Sequence, residues 1–274
     1  MAAPVTRHQL RRGKIIRARA EEFYPEIEAG AVSLLISDGP YKMATPKAEW
    51  DKFASWEAFV DWYAPHIEAW GRVCAPSATV YLWGTDEGEG YLRAPMREAG
   101  WTFRGSVVWD KRPVANSMSW SRASGWPDAT ERCGVWARGA PSFTLSGPSS
   151  NVWSLPAANL GPERLHTGRL VRAPLNAFGG GSGMAQEALH PCQKPLAFYD
   201  RMIRASSRPG DLVLEPFGGT CRAAVAIERM PEAEARRYVC VEPDEDGRDY
   251  LPAVLRSLTL DPDTSTDRQP SLFA

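Results

Sequence analysis

No stretch of this sequence approaches the ~18 consecutive apolar residues that a bilayer-spanning helix requires. Basic residues near the amino terminus have no apolar segment behind them, so a secretory signal is not read there. Paired cysteines are missing as well. Cys74, Cys133, Cys192, Cys221 and Cys240 are scattered, odd in number and never spaced as C-x-x-C, which argues against a disulfide framework and against a cysteine-based zinc site. The four histidines are scattered too, so a histidine metal centre is not expected. Reduced thiols in a cytoplasm are the expectation. Neither a GxGxxG turn nor a GxxxxGK[ST] loop occurs, and with them go the usual phosphate cradles. A formal net charge of −1 gives no bulk attraction for nucleic acid.

What is present is a chain of 274 residues, 43% of them apolar, enough for one large α/β domain or for a domain with an inserted lobe. Charge is uneven along it. Residues 1–20 hold Arg7, Arg11, Arg12, Lys14, Arg17 and Arg19 and no acid. Residues 104–172 hold nine Lys and Arg against Asp110, Asp128, Glu131 and Glu163, a local excess that can meet phosphates.

The first motif follows the apolar run Val32-Ser33-Leu34-Leu35-Ile36, which reads as a buried strand. Ser37-Asp38-Gly39-Pro40-Tyr41 then breaks the strand and leaves a carboxylate, a rigid peptide and an aromatic ring at its carboxyl end. In open α/β sheets ligands bind at that edge. The second motif follows Asp211-Leu212-Val213-Leu214, another strand. Glu215-Pro216-Phe217-Gly218-Gly219-Thr220 forms the turn, a helix runs over about 221–230, and Tyr238-Val239-Cys240-Val241 leads to Glu242. Strand, glycine turn, helix, strand and acid make a nucleoside-binding layout. Without a phosphate loop it suits a cationic, non-phosphate nucleoside such as S-adenosylmethionine.

Between the motifs, strands are expected over 13–16, 78–83, 101–109 and 133–137. Ser55 should cap a helix that carries Trp56, Phe59, Val60, Tyr63, Ile67 and Trp70 on one face, with a kink or break at Pro65. Further helices are expected over 88–99, from Pro195, and over 246–258. From Asp110 to about Ala188 tryptophan, serine, proline and glycine dominate and the helical period fades, which suggests an inserted region with a glycine-rich loop at 177–183.

These residues resemble the DNA amino-methyltransferases. Asp38-Gly39-Pro40-Tyr41 is similar to their Asp-Pro-Pro-Tyr signature. His190-Pro191-Cys192-Gln193-Lys194-Pro195 is similar to His-Pro-Thr-Gln-Lys-Pro, and Glu215 to Cys221 to Asp-Pro-Phe-x-Gly-Ser-Gly. The catalytic motif comes first and the cofactor motif last, about 180 residues apart, the order of the β group. Val107 to Lys111 and Asn151-Val152-Trp153 resemble landmarks between them. The resemblance implies a Rossmann-like methyltransferase fold, a mostly parallel sheet with helices on both faces. Its catalytic domain would comprise residues 1–109 and 189–260, with a target-recognition region at 110–188 and a frayed tail at 261–274. It also implies transfer of a methyl group from S-adenosylmethionine to the exocyclic amine of a flipped adenine or cytosine in a specific sequence of double-stranded DNA, as in restriction-modification. Asp38 leans towards adenine. A homodimer is compatible with this reading, and a membrane role is not expected.

In that scheme Asp38, Gly39, Pro40 and Tyr41 are the catalytic residues. Asp38, His190, Gln193, Lys194, Glu215, Pro216, Phe217, Gly218, Gly219, Thr220 and Glu242 surround the cofactor, and Lys111, Arg112, Arg122, Arg169 and Arg172 meet DNA. Tyr41 would stack on the extruded base, worth ~1–3 kcal/mol. Asp38 and the Gly39 carbonyl would accept from the amine. Gly39 departs from the family's proline and adds backbone freedom that Pro40 limits, so a proline at 39 is expected to preserve or raise activity. Glu215, Gly219, Thr220 and Cys221 also depart from the family pattern. A non-catalytic DNA- or protein-binding relative, or an RNA or protein-amide methyltransferase, is the alternative.

Overall fold

The computed structural model describes residues 5–42, 49–110, 130–145, 149–154, 163–164, 170–171, 194–243 and 250–259. Its strands are β1 (Thr6–Gln9), β2 (Gly13–Arg17), β3 (Val32–Ser37), β4 (Cys74–Gly84), β5 (Thr102–Asp110), β6 (Thr130–Ala137), β7 (Val152–Ser154), β8 (Glu163–Arg164), β9 (Leu170–Val171), β10 (Leu212–Glu215) and β11 (Arg237–Val241). The α-helices are α1 (Ala20–Phe23), α2 (Trp56–Val73), α3 (Asp86–Glu98), α4 (Leu196–Ser206), α5 (Arg222–Glu228) and α6 (Tyr250–Thr259). No helix among the described residues is long and apolar enough to cross a membrane.

Nine strands form one sheet in the order β1-β2-β11-β10-β3-β4-β6-β5-β7. From β2 to β4 every pairing is parallel. β6 runs antiparallel between β4 and β5, and β1 is an antiparallel edge. Parallel strands need cover on both faces, hence their unbroken apolar runs. Leu34 and Ile36 of β3 enter the core formed with α4, α5 and α6, while Val32 and Leu35 enter the core formed with α1, α2 and α3. β3 and β10 are neighbours, with Val213 opposite Leu34 and Leu214 opposite Leu35. From this pair the chain winds one way through β4 and the other way through β11. That reversal is a topological switch point, where the strand ends part and leave a crevice.

The interval 110–188, expected as an inserted recognition region, contributes β6 and β7 to the central sheet and the small antiparallel pair β8-β9. Cys133 and Trp136 of β6 are fully buried, which is why this strand joins the core instead of leaving it. Of the kink or break expected at Pro65, the break does not occur. Ser55 caps α2 by accepting from the Ala58 amide at 3.1 Å, and the helix runs 18 residues to Val73. Pro65 and Asp61, whose carbonyl loses its helical donor, both face solvent, so water can replace the missing bond. At the far end of α5, Arg12 donates to the carbonyls of Ile227 at 2.5 Å and Met230 at 2.7 Å and pairs with Glu232 at 2.6 Å. A cation on those last carbonyls also suits the helix dipole.

Candidate active site

Asp38 leaves β3 at its carboxyl end and meets two partners. Tyr41 donates its hydroxyl to Asp38 Oδ1 at 2.5 Å. Lys194 Nζ, from the segment leading into α4, lies 2.9 Å from Oδ1 and 3.1 Å from Oδ2. Lys194 is also 3.0 Å from Glu131 Oε2 on β6, an ion pair without hydrogen-bond alignment. The lysine side chain is only 2% exposed, against 16% for Asp38 and 20% for Glu131. One buried ammonium is thus shared by two carboxylates. Its Nζ stands 5.0 Å from the Tyr41 ring centre and 5.4 Å from that of Trp83, within cation–π range. Burial, with the charges of Asp38 and Glu131, pushes the Tyr41 phenol well above its ordinary pKa, so it stays a protonated donor.

The backbone at Tyr41 and Lys42 is held by Asp51, which is almost fully buried. Its Oδ1 accepts from the backbone amides of Tyr41 at 2.6 Å and Lys42 at 2.8 Å, and Lys42 adopts a φ of 59°. Two amides on one carboxylate oxygen fix that turn. From α2, Tyr63 donates to the Pro40 carbonyl at 3.1 Å.

The second motif sits beside the first. A Cβ built on Gly39 would lie 2.6 Å from Tyr63 Oη and 2.8 and 2.9 Å from Phe217 Cδ2 and Cε2. Backbone and ring are therefore in direct contact across the β3–β10 boundary. The Phe217 ring centre is 5.1 Å from that of His66 and 5.5 Å from that of Trp62. Burial lowers the pKa of His66 to about 4, so it is neutral, and its Nδ1 shares a hydrogen bond of 3.1 Å with the Tyr24 hydroxyl. A proline at position 39 would therefore need Tyr63 or Phe217 to shift, so packing as well as backbone freedom bears on the expectation that it preserves or raises activity.

Beyond Phe217 the turn closes tightly. The Gly218 amide donates to the Val241 carbonyl at 2.7 Å, and the Gly219 amide donates to Glu242 Oε2 at 2.6 Å. A Cβ on Gly218 would come within 3.1 Å of that same carbonyl and 3.2 Å of Cys221 Sγ. Cys221, which replaces a family glycine, has a φ of 49° in the left-handed region. Glu215 is fully buried and points into the protein. Its Oε2 accepts from the Ala223 amide at 3.0 Å and from the Cys240 thiol at 3.1 Å. Its Oε1 has no hydrogen-bond partner among the described residues. Burial raises its pKa to about 8, so it carries a proton at neutral pH.

The crevice thus brings together Asp38, Gly39, Pro40, Tyr41, Lys194, Phe217, Gly218, Gly219 and Glu242, with Pro216 and Thr220 in the same turn and Glu215 beneath it. His190, Gln193, Lys111, Arg112, Arg122, Arg169 and Arg172 lie outside the described residues, as do Trp120 and Trp126. Sequence reasoning missed Glu131, Asp51, Tyr63, Trp62 and His66 as parts of the site. Tyr63 was legible only as one position of a core stripe. The signal that could have raised it is a hydroxyl-bearing residue on the inner face of the helix that follows the first motif.

A nucleoside with a cationic centre fits these residues. The turn offers backbone where a side chain would collide, an aromatic ring and a carboxylate at the next strand end, and an orphan carboxyl oxygen lies below it. Comparison with known proteins agrees. Type II methyltransferase M2.DpnII of Streptococcus pneumoniae is 21% identical over 278 residues, covering 95% of this chain and 96% of its own. DNA adenine methyltransferase YhdJ of Escherichia coli (strain K12) is 25% identical over 255 residues, covering 89% and 82%. The solved structure of PvuII DNA methyltransferase (cytosine-N4-specific) superposes with a TM-score of 0.66 at 16% identity, covering 94% of this chain and 89% of that one. The DNA methylase family model, N6_N4_Mtase, matches residues 32–249, and the chain belongs to that family.

Proposed function

We propose that this enzyme methylates adenine-N6 in preference to cytosine-N4, and that Asp38, Gly39, Pro40 and Tyr41 form its acceptor pocket. The reaction class comes with the family: a methyl group passes to the exocyclic amine of a DNA base. S-adenosylmethionine supplies the methyl as an electrophilic sulfonium. Phe217, Gly218, Gly219 and Glu242 would hold it, and Glu215 would act from beneath by bracing the turn through the Ala223 amide.

The single observation that supports this reading is the close approach of Gly39 and Phe217, because methyl donor and acceptor would then lie side by side. An aromatic amine is a poor nucleophile, since its lone pair is spread into the ring. Asp38 and the Gly39 carbonyl would accept its two protons, which turns the nitrogen towards tetrahedral geometry and frees the lone pair. Orientation is their main contribution. Tyr41 now caps Asp38 Oδ1, so it would release that oxygen as it turns to stack on an extruded base. Lys194 would steady Asp38 throughout. Lys111, Arg112, Arg122, Arg169 and Arg172 would contact DNA from a recognition region drawn from 110–188, and His190 and Gln193 would complete the cofactor pocket.

Preference for adenine rests on Asp38 at the head of the motif, where serine is more usual for cytosine in the family that it resembles. The likeness to a DNA adenine methyltransferase supports it. A cytoplasmic protein acting on double-stranded DNA, alone or as a homodimer, completes the proposal.

The test is tritium transfer from labelled S-adenosylmethionine to bacterial genomic DNA amplified in vitro, with Asp38→Ala as control and RNA as a parallel substrate. Nucleoside analysis of the product should give N6-methyladenine. N4-methylcytosine would refute the preference, and label confined to RNA would refute the substrate.

A further inference from the structure

We propose that Glu131 is a positioning residue for methyl transfer, acting on Asp38 through Lys194. This rests on the acceptor role given to Asp38 above.

Start from charge. Lys194 is nearly inaccessible, and a buried ammonium needs one carboxylate to balance it. It has two, with Asp38 at 2.9 and 3.1 Å and Glu131 at 3.0 Å. Two carboxylates therefore face one ammonium in a largely desolvated place. A purely structural ion pair gains nothing from the third charge, which costs free energy wherever water is excluded. The fold nevertheless delivers it from a separate element. β6 enters the sheet antiparallel beside β4, with Glu131 opposite Trp109 of β5.

The chemistry supplies a use for that charge. As the nitrogen–carbon bond forms and the carbon–sulfur bond breaks, the electron pair of the breaking bond goes to sulfur. Positive charge moves onto the amine nitrogen, which then gives up a proton. A fixed negative charge on the acceptor side favours that movement, and it needs no reorganisation at the moment of reaction. Glu131 contributes in two ways. It draws the Lys194 ammonium partly off Asp38, so the Asp38 oxygens keep capacity to accept from the amine. It also adds a second carboxylate to the acceptor side, where Asp38 and Lys194 form a pair of opposite charges.

Glu131→Gln keeps size and polarity and removes only the charge. The expected result, at saturating amplified genomic DNA, is a kcat roughly ten- to a hundredfold lower, the loss usual when a supporting partner of an active group is removed. The dissociation constant for S-adenosylmethionine, measured by calorimetry, should stay within about twofold of wild type, since an acceptor-side charge acts on the reaction rather than on binding. The urea midpoint of the cofactor-free protein should be unchanged or higher, because a carboxylate charge has gone from a place largely closed to water. A structural role would instead lower that midpoint. The inference is overturned if kcat is unchanged or raised, if the rate loss tracks weaker cofactor binding, or if the midpoint falls with the rate. Wild-type protein that transfers no label would overturn the acceptor reading itself and this inference with it. Wild-type transfer with an unaffected Glu131→Gln would overturn this inference alone.

Discussion

Replacing Gly39 with alanine adds one methyl group at the boundary between the two motifs. That carbon would sit 2.6 Å from Tyr63 Oη and 2.8 and 2.9 Å from two carbons of the Phe217 ring. Ordinary contacts of this kind lie near 3.5 Å, so three neighbours are each too close by roughly half an ångström or more. Something must move. Tyr63 is fully buried and tied to the Pro40 carbonyl, while Phe217 is only partly buried, so the ring gives way. Overpacking of this order costs about 1–3 kcal/mol. Because the ring lies in the turn proposed to hold the cofactor, most of that cost should appear as weaker binding. At about 1.4 kcal/mol per decade, the dissociation constant for S-adenosylmethionine should rise about 5- to 100-fold. Calorimetry reads the affinity, and tritium transfer at saturating cofactor reads how much of kcat survives. Gly39→Pro should be no better, since its Cβ occupies the same place. Wild-type affinity and rate in Gly39→Ala would refute the packing argument and with it the shared pocket.

Three further perturbations test the supporting structure. Glu215 has a pKa raised from 4.5 to about 8, so between those values the folded protein binds a proton that the unfolded chain has released; its contribution is fully present below pH ~4.5 and is lost as pH rises through ~8. Glu215→Gln should remove that slope, so urea unfolding at pH 5 and pH 8.5 should show wild type losing on the order of a few kcal/mol relative to the variant, and parallel pH profiles would contradict this. Cys221 sits at a φ of 49°; Cys221→Gly relieves about 1–2 kcal/mol of left-handed strain but gives up a buried sulfur worth about 1 kcal/mol, so its melting temperature should stay close to wild type, whereas Cys221→Val should lose more than about 2 kcal/mol. Equal stability of the valine variant would show that the backbone there is not constrained. Arg12→Met takes the guanidinium off the Ile227 and Met230 carbonyls at the end of α5, the first of which keeps the Met230 amide at 3.1 Å, and should cost about 1–3 kcal/mol in urea unfolding, with an unshifted midpoint counting against the capping role.

Much of the fold was readable because its parallel strands are buried on both faces. Val32–Ser37, Leu212–Glu215 and Arg237–Val241 are short, largely apolar runs closed by turn residues, and local pattern suffices for them. α2 was readable from Ser55 and the aromatic stripe, but its survival through Pro65 was not. Whether a proline breaks a helix depends on whether the freed carbonyl meets water, and that depends on which way the helix is turned. β6 was harder. Thr130–Ala137 mixes half-buried and buried positions, and its place between β4 and β5 is fixed by pairing with strands far away in sequence.

The site divides along the same line. Asp38, Tyr41 and Phe217 belong to local signatures, strand ends with turn chemistry that a short window contains. Glu131 belongs to none. It is one of the 33 acidic residues of the chain, and nothing within several positions of it marks it out. It reaches Lys194 only because β6 returns antiparallel beside β4, next to the strand that ends at Asp38. Gly39 is half legible for a related reason. Its neighbours in sequence point to stiffness, whereas Tyr63 and Phe217, 24 and 178 positions away, crowd the place a Cβ would take. Short-range pattern therefore marks the candidate groups. The order of strands decides which charges surround them and how much room they have, neither of which a short window contains.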